Sequence, residues 1–283
     1  LDKLALSKPA LQINGELAVS STSPVFSLEL QGSDIDVDAT REAALALAGD
    51  TTPVKEIFDY LRGGKVSQIS FHSQGESASA LGDLKNIVIK GQLQNGAVSI
   101  PEIKLDLTEG NGDVVISEGV LEGSKMSTRL EGSSAHDGTL KVALGEDNDL
   151  FQLELMLSAD LPQAQKILKR IVEKSEFAQL VDKVTNLEGT AIGKLILGDN
   201  LTDIKARVDM SDLNLTADFQ GLPFPVDVSN GQISFADKHV EVKDLSGRFG
   251  RSAFSNFACN FDWAEVLHID LSSGKFDLVL EAL

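Results

Sequence analysis

The histidines and serines of this chain are the first residues to consider for chemistry. Its four histidines show no spacing typical of a metal-binding motif, and isolated surface or strand-edge positions are the better interpretation: His72, His136, His239 and His268. No serine lies in a Gly-x-Ser-x-Gly turn, which exposes the nucleophile of many hydrolases. The sequence therefore predicts neither a metal centre nor a hydrolase triad.

Acidic turns and the single cysteine are the other candidates. Residues 109–113 and 146–149 are rich in carboxylates, but neither fits the twelve-residue calcium loop with its terminal glutamate, so solvated turns are expected. Cys259 is the only cysteine, which excludes an intrachain disulfide and a thiolate metal site. Its alternating context predicts a small buried side chain. We expect no enzyme activity and no cofactor; an enzyme would need a cleft with converging titratable groups.

The charge balance excludes two classes of partner. The 283 residues include 25 basic and 43 acidic side chains, a formal net charge of -18. Such a surface repels nucleic acid and lacks the Lys/Arg clusters that dock on anionic membranes. It does not exclude binding of lipid acyl chains, which is a hydrophobic event. The chain starts at Leu1 without a signal-peptide pattern and has no long apolar run. We therefore expect it to be a piece of a longer protein.

Strict alternation of apolar and polar residues dominates the chain and predicts antiparallel strands with one apolar face. It occurs in residues 27–31, 102–107, 139–144, 203–208, 225–228, 232–235 and 239–243. Pairs that favour turns are predicted to separate the strands: Asn95-Gly96, Asn111-Gly112-Asp113, Asp137-Gly138, Gly198-Asp199-Asn200 and Asn230-Gly231.

Three segments have a helical pattern. Residues 38–47 are rich in alanine, and Thr52-Pro53 opens a short segment that carries Val54, Ile57, Phe58 and Leu61. The longest opens at Pro162 and runs to Val184, with a break near Ser175. Each segment is amphipathic, so each is expected to cover a sheet face or an end.

An internal repeat organises these elements. Phe26-Ser27-Leu28-Glu29-Leu30 recurs about 125 residues later as Phe151-Gln152-Leu153-Glu154-Leu155, and two further matches follow in the same order. We predict the end of a preceding repeat at 1–24, repeat units at 25–149 and 150–266, and the start of a further repeat at 267–283. The predicted fold class is mainly β: an elongated, twisted antiparallel groove of such repeats, each with a short helical insertion.

One stretch of the second predicted repeat resembles the AsmA-like family of Gram-negative envelope proteins. The resemblance rests on residues 221–228, Gly231, residues 240–242 and residues 245–252, with a looser echo in residues 112–123. It implies a periplasmic β-groove with an apolar interior that binds or conducts phospholipid for outer-membrane biogenesis. It also implies an inner-membrane anchor in a segment outside residues 1–283. The family supplies no catalytic residues.

Two interpretations of the apolar faces stay open. Three short helices are too few to cover about fourteen strands, so the sheet either curls around acyl chains or closes as a filled structural or adhesin-like sandwich. The inward positions are aliphatic, which favours acyl chains over a shaped head group. Candidate lining residues, some of them expected to be ordinary core, are Leu28, Leu30, Ile103, Leu105, Leu153, Leu155, Ile204, Val208, Val226, Val228, Ile233 and Phe235. We also expect self-association through the edge strand that starts at Leu267.

Overall fold

A computed structural model describes residues 4–7, 10–19, 25–48, 58–100, 105–144, 149–172 and 175–279. The chain is mainly β, and its strands lie in chain order in one antiparallel sheet that is not closed. The strands are β1 (Leu4–Ser7), β2 (Ala10–Val19), β3 (Phe26–Asp36), β4 (Leu61–Gly75), β5 (Ile87–Ile100), β6 (Leu105–Ser117), β7 (Val120–Leu130), β8 (Ser133–Ala143), β9 (Leu150–Asp160), β10 (Val184–Asn200), β11 (Ile204–Phe219), β12 (Val226–Ala236), β13 (His239–Phe249), β14 (Ser252–Asp262) and β15 (His268–Asp277).

The helices are short and are capped by local side chains. They are α1 (Val37–Ala48), α2 (Leu161–Val172) and α3 (Glu176–Asp182), with 3₁₀ turns at Ser79–Gly82 and Leu84–Asn86 and helical residues at 58–60. The Asp160 carboxylate accepts the backbone N–H of Gln163 at 2.9 Å, and the Ser175 hydroxyl accepts that of Ala178 at 3.2 Å. These bonds satisfy N–H groups that have no partner within the helix. Among the described helices, none is long and apolar enough to cross a membrane.

Two of the three predicted helical segments are confirmed in position. Helix α1 covers residues 38–47, and the third segment breaks at Ser175 into α2 and α3. The prediction was wrong at two ends, since Leu61 opens β4 and Val184 opens β10. Thr52, Pro53, Val54 and Ile57 of the second segment lie outside the described residues. The 125-residue repeats, a helical insertion in each and the elongated groove stay predictions.

Most of the predicted turns lie inside strands, which corrects the prediction. Gly198-Asp199-Asn200 ends β10, but the other four sites fall within β5, β6, β8 and β12. Asn95 and Asp137 have φ of 50° and 51°, the left-handed conformation that also opens a hairpin turn. Here such a residue makes a β-bulge, an extra residue that bends the strand without ending it. Asp34, Glu109, Lys125, Asp212, Asp244 and Asn256 are left-handed within other strands.

The bulge in β12 explains how this strand keeps one apolar face along its whole length. In β12 the apolar positions are Val226 and Val228 before the bulge, then Ile233 and Phe235 after it. The pairing of β12 with β13 shifts register on both sides of Asn230, between these two pairs. An extra residue reverses the alternation of faces, so the even-numbered residues before the bulge and the odd-numbered residues after it lie on the same face.

The chain divides into two compact units. Unit 1 comprises Leu1–Leu130, Ala135–Leu153 and Gly198–Ile204, and unit 2 comprises Glu131–Ser134, Glu154–Leu197 and Lys205–Leu283. The predicted repeat boundaries stay predictions.

Unit 2 has a core covered by helices. Val172 of α2 and Phe177 and Val181 of α3 pack on a cluster of strand residues that includes Val240, Val242, Cys259 and Trp263. The rings of Phe177 and Trp263 are stacked, with centroids 4.2 Å apart and planes 3° apart. Leu161, at the start of α2, joins a second buried cluster, formed with Ala191, Leu213, Val228 and Phe254. Helices therefore cover part of the apolar face of β12 to β14.

Candidate functional site

Unit 1 presents a row of apolar side chains across five neighbouring strands. Cross-strand pairing places Leu30 opposite Phe71, Phe71 opposite Ile89, Ile89 opposite Ile116 and Ile116 opposite Leu121. Residues paired in this way share one face of the sheet. We call these five residues the apolar strip. Ile116 is buried, but the other four side chains are only half-buried and keep apolar surface accessible to solvent.

A second row runs beside the strip and contains small residues at alternate strands. It consists of Gly32, Ile69, Gly91, Val114 and Gly123, paired in that order. A glycine contributes no side chain, so neighbouring side chains lean into its place; Met126 and Leu140 lie over Gly123. The two rows together form an apolar surface with little relief and no polar side chain.

The opposite face of unit 1 is charged. His72 lies 3.4 Å from Glu29, Lys125 is 3.0 Å from Asp113, and Lys141 is 2.7 Å from Glu122. The hydrogen bond and the charge of Lys125 hold the pKa of the Asp113 carboxyl below its usual value. Exposed pairs of this kind add little stability. They do make the two faces of the sheet chemically distinct.

The connection between β4 and β5 covers one end of the apolar face. Ser73 shares the face of Phe71, two residues along β4, and it is fully buried. Its hydroxyl donates to the carbonyl oxygen of Leu81 at 2.8 Å, which places the 3₁₀ turn Ser79–Gly82 over this end. The hydrogen bond satisfies a polar group that would otherwise be costly to bury.

The predicted lining residues separate by unit. Leu28 and Leu30 of β3 lie on the half-buried apolar face of unit 1. In unit 2, Val228 is buried in the second core cluster, and Val226, Ile233 and Phe235 pack against the core clusters. Of these four, Val228 is ordinary core, which the sequence analysis expected for some of the twelve, and the other three are partly buried.

The remaining candidates lie at other places in the sheet. Leu153 and Leu155 are buried residues of β9, while Ile204 and Val208 are half-buried in β11, with Val208 opposite Phe235. Leu105 belongs to β6, and Ile103 lies outside the described residues.

Sequence reasoning missed most of the apolar strip. Phe71, Ile89, Ile116 and Leu121 were not among the candidates, although each lies in a strand with alternating residues. The signal that could have found them is the reversal of alternation at each left-handed residue, such as Asn95 in β5. Once that reversal is applied, the apolar positions of β4 to β7 align as one face.

The residues with potential for chemistry do not converge. His136 and His239 each lie near one carboxylate, Asp137 at 2.9 Å and Asp262 at 3.8 Å. Within the described ranges, no group of three His, Cys, Asp or Glu side chains could hold a metal ion. Cys259 is buried in the core of unit 2, and burial raises the pKa of its thiol to about 11. A thiol in that state is a poor nucleophile.

Comparison of the chain with family models, with curated proteins and with solved structures found no match. The family resemblance of residues 221–252 therefore stands on those residues alone. Two of them, Phe224 and Gly250, meet in unit 2, where the Phe224 ring covers the α-carbon of Gly250 in the turn between β13 and β14. Contact between these two positions accounts for a large ring and a glycine in the stretch that carries the resemblance.

Proposed function

We propose that this chain binds phospholipid acyl chains on the apolar strip of unit 1, as the periplasmic part of an envelope protein that conducts lipid for outer-membrane biogenesis. One observation carries the lipid part of the proposal. The strip is a continuous aliphatic and aromatic row on one face of a sheet, and four of its five members keep solvent-accessible surface.

The chemistry of the strip favours acyl chains over a ligand with a defined shape. Binding sites for shaped ligands combine apolar walls with a few fixed polar groups, and neither row of the strip surface supplies such a group. Each methylene removed from water contributes about 0.8 kcal/mol, so an acyl chain lying along several strands gains affinity in small equal steps. With a net charge of -18, electrostatics do not attract anionic head groups.

Unit 2 supports the choice of unit 1 as the binding surface. Among the apolar residues of β12 to β14, Val228, Val240, Val242 and Phe254 are buried in clusters that include residues of α2 or α3, which leaves little of their surface for lipid. In unit 1, the residues of the apolar strip other than Ile116 keep surface that is accessible to solvent.

The periplasmic location, the inner-membrane anchor outside residues 1–283 and the AsmA-like family come from the sequence resemblance alone. They are part of the same proposal, because a β-groove that conducts lipid is what that family implies. Lipid binding and family membership can fail separately, since an acyl chain can bind an apolar sheet in any compartment.

Photocrosslinking within unit 1 tests the lipid proposal. A photoreactive phenylalanine analogue is placed at Leu30 or Ile89 on the strip, and at Gln31 or Lys90, the next residues along the same strands, as controls. Adjacent residues of a strand point to opposite faces, so each control matches its test position in everything but the face. We expect phospholipid adducts from positions 30 and 89 and none from positions 31 and 90. Equal labelling of both faces, or none from either, would overturn the proposal.

A second candidate is a filled structural module without a ligand, which the helix-covered core of unit 2 favours. It predicts that solvent extraction of the purified chain followed by mass spectrometry recovers no lipid. Phospholipid recovered in a constant ratio to protein, and lost in a Leu30→Asp variant but kept in Gln31→Asp, would exclude it.

A further inference from the structure

One connection in unit 2 exposes large apolar side chains to solvent. It joins β11 to β12, and we call residues 219–225 the apolar tip. Phe219, Leu222 and Phe224 of the tip are 38%, 44% and 44% exposed. The tip contains no charged residue, although charged residues make up 24% of the chain. Exposed apolar groups gathered in one place mark sites of interaction.

The neighbouring hairpin shows that the tip is longer and more apolar than its position requires. Two exposed residues, Asp237 and Lys238, connect β12 to β13. The tip connects the adjacent pair, β11 and β12, with residues 220–225. Both connections close antiparallel pairs of the same sheet. The apolar residues of the tip are therefore not needed to close the hairpin.

Backbone hydrogen bonds hold the tip to the rest of unit 2. The N–H of Gln220 donates to the carbonyl oxygen of Lys183 at 2.9 Å, in the residue between α3 and β10. The N–H of Leu222 donates to the carbonyl oxygen of Phe219 at 3.0 Å. These bonds fix the path of the tip while its large side chains stay exposed.

The backbone of the tip also suits a medium without hydrogen-bonding partners. Pro223 and Pro225 have no N–H, and the N–H groups of Gln220 and Leu222 are already paired. Four of the six connecting residues therefore carry no unsatisfied donor. An unpaired N–H is costly in hydrocarbon, because lipid offers it no acceptor. This feature favours lipid over a polar protein surface as the partner of the tip.

Two exposed arginines lie beside the tip. Arg248 is near the end of β13, and Arg251 follows Gly250, over which the Phe224 ring lies. Asp227, which pairs opposite Arg248, already accepts a hydrogen bond from the neighbouring strand. An arginine has a long apolar stem and a guanidinium group that binds phosphate oxygens, so it can lie at the boundary between lipid and water.

We propose that the apolar tip inserts into the interface of a phospholipid bilayer. Its three large side chains enter the acyl region, and Arg248 and Arg251 lie at the level of the lipid phosphates. The net charge of -18 opposes electrostatic docking on an anionic surface, so burial of apolar side chains drives the association. The proposal does not depend on acyl-chain binding by the apolar strip of unit 1.

Flotation of the 283-residue chain with vesicles of phosphatidylcholine tests the insertion. The native chain should float with the vesicles. Leu222→Asp places a carboxylate in the acyl region and should lower the partition coefficient at least about tenfold. Ile192→Asp is the matched control, because Ile192 is 49% exposed but lies within β10, and it should float like the native chain. No flotation of the native chain, or equal loss in both variants, would overturn the proposal.

Two further comparisons separate the tip from other contacts. Leu30→Asp, on the apolar strip, should leave flotation unchanged. Loss of flotation in Leu30→Asp but not in Leu222→Asp would assign the vesicle contact to unit 1 and reject the proposal. Sedimentation equilibrium without vesicles should give native and Leu222→Asp chains the same mass. A dimer that Leu222→Asp abolishes would instead assign the tip to a second copy.

A fluorescent label reports insertion directly. Leu222→Cys and Ile192→Cys chains are each labelled with a thiol-reactive dye that is sensitive to polarity. Cys259 can stay in place, because it is 3% exposed and its thiol pKa is raised to about 11. On addition of phosphatidylcholine vesicles, emission from position 222 should rise and shift to the blue, and emission from position 192 should not change. Equal responses at the two positions would refute insertion through the tip.

Discussion

Replacing Phe177 with alanine removes the ring that joins α3 to the sheet of unit 2. This ring is 7% exposed; it stacks on Trp263 at 4.2 Å between centroids and contacts Phe261 at 5.7 Å. Truncation of a buried phenylalanine costs about 3–5 kcal/mol, from lost burial and the cavity that remains. At about 2–4 °C per kcal/mol for a chain of this size, the melting temperature of unit 2 should fall by roughly 6–20 °C.

Fluorescence of Trp263 measures this effect locally, because the chain has only one tryptophan. In the native protein the indole is 8% exposed, so its emission should be blue-shifted and should move to the red as unit 2 unfolds. In Phe177→Ala the native emission should already be partly red-shifted, since the face of the indole loses its cover. Denaturant titration followed at Trp263 then gives the change in the free energy of unfolding.

Phe276→Ala is the matched control. This ring belongs to β15, is 51% exposed and contacts Phe254 and Phe257 at its edge. Its truncation should cost under about 1 kcal/mol and leave the emission of Trp263 unchanged. Equal losses of stability in the two variants, or no shift of emission in Phe177→Ala, would refute the helix-covered core.

Three further predictions concern the two apolar surfaces and the core. Val228→Asp buries a carboxylate in the second core cluster and should unfold unit 2 at a cost of several kcal/mol. Leu30→Asp lies on a half-buried surface, so this variant should fold but lose bound lipid. Circular dichroism measures the folding of each variant, and lipid extraction measures the bound lipid. Burial raises the thiol pKa of Cys259 from 9.0 to about 11, so the folded state favours the protonated thiol. The resulting contribution to the free energy of unfolding is complete below pH 9 and is lost as the pH rises toward 11. Two pKa units correspond to at most about 2.7 kcal/mol, and the difference in unfolding free energy between the native chain and Cys259→Ala should change by up to that amount over this interval. Gly231→Val should destabilise β12, because L side chains rarely adopt the φ of 156° at this position and an added β-carbon would lie only 3.2 Å from the α-carbon of Leu245. Ser229→Val, exposed on the same strand, should not.

Each of these predictions has an outcome that would contradict it. A folded Val228→Asp variant with normal melting would show that its position is wetter than its burial indicates. A stability difference between the native chain and Cys259→Ala that stays constant from pH 9 to 11 would show that burial does not disfavour the thiolate. Equal melting of Gly231→Val and Ser229→Val would show that the bulge tolerates a side chain.

The sequence by itself identified several of the strands and two of the three helical segments. Alternation of apolar and polar residues specifies a strand with two different faces, because side chains of a strand point alternately to its two sides. That local rule predicted β3, β8, β11 and β13. Ser175 was identifiable as a helix boundary, since a serine hydroxyl can accept a backbone N–H where a helix begins. The 125-residue repeat and the family resemblance also come from the sequence and remain predictions.

Only the tertiary structure decided whether a turn-like pair ends a strand or bulges within it. Asn95-Gly96 and Asn230-Gly231 favour a left-handed backbone. That local preference is the same whether the pair ends a strand or bulges within it. The outcome depends on which neighbouring strands pair on either side, and that pairing brings together residues distant in sequence. For the same reason the strip from Leu30 to Leu121 could not be assembled from single strands.

The tertiary structure also decided which apolar faces are covered. Leu30 and Val228 look alike in sequence, since each is an aliphatic residue in an alternating strand. Val228 is buried in a core cluster of unit 2 that includes Leu161 of α2, whereas Leu30 keeps accessible surface in unit 1. Burial depends on what packs against a side chain from elsewhere in the chain, and no local pattern of residues contains that information.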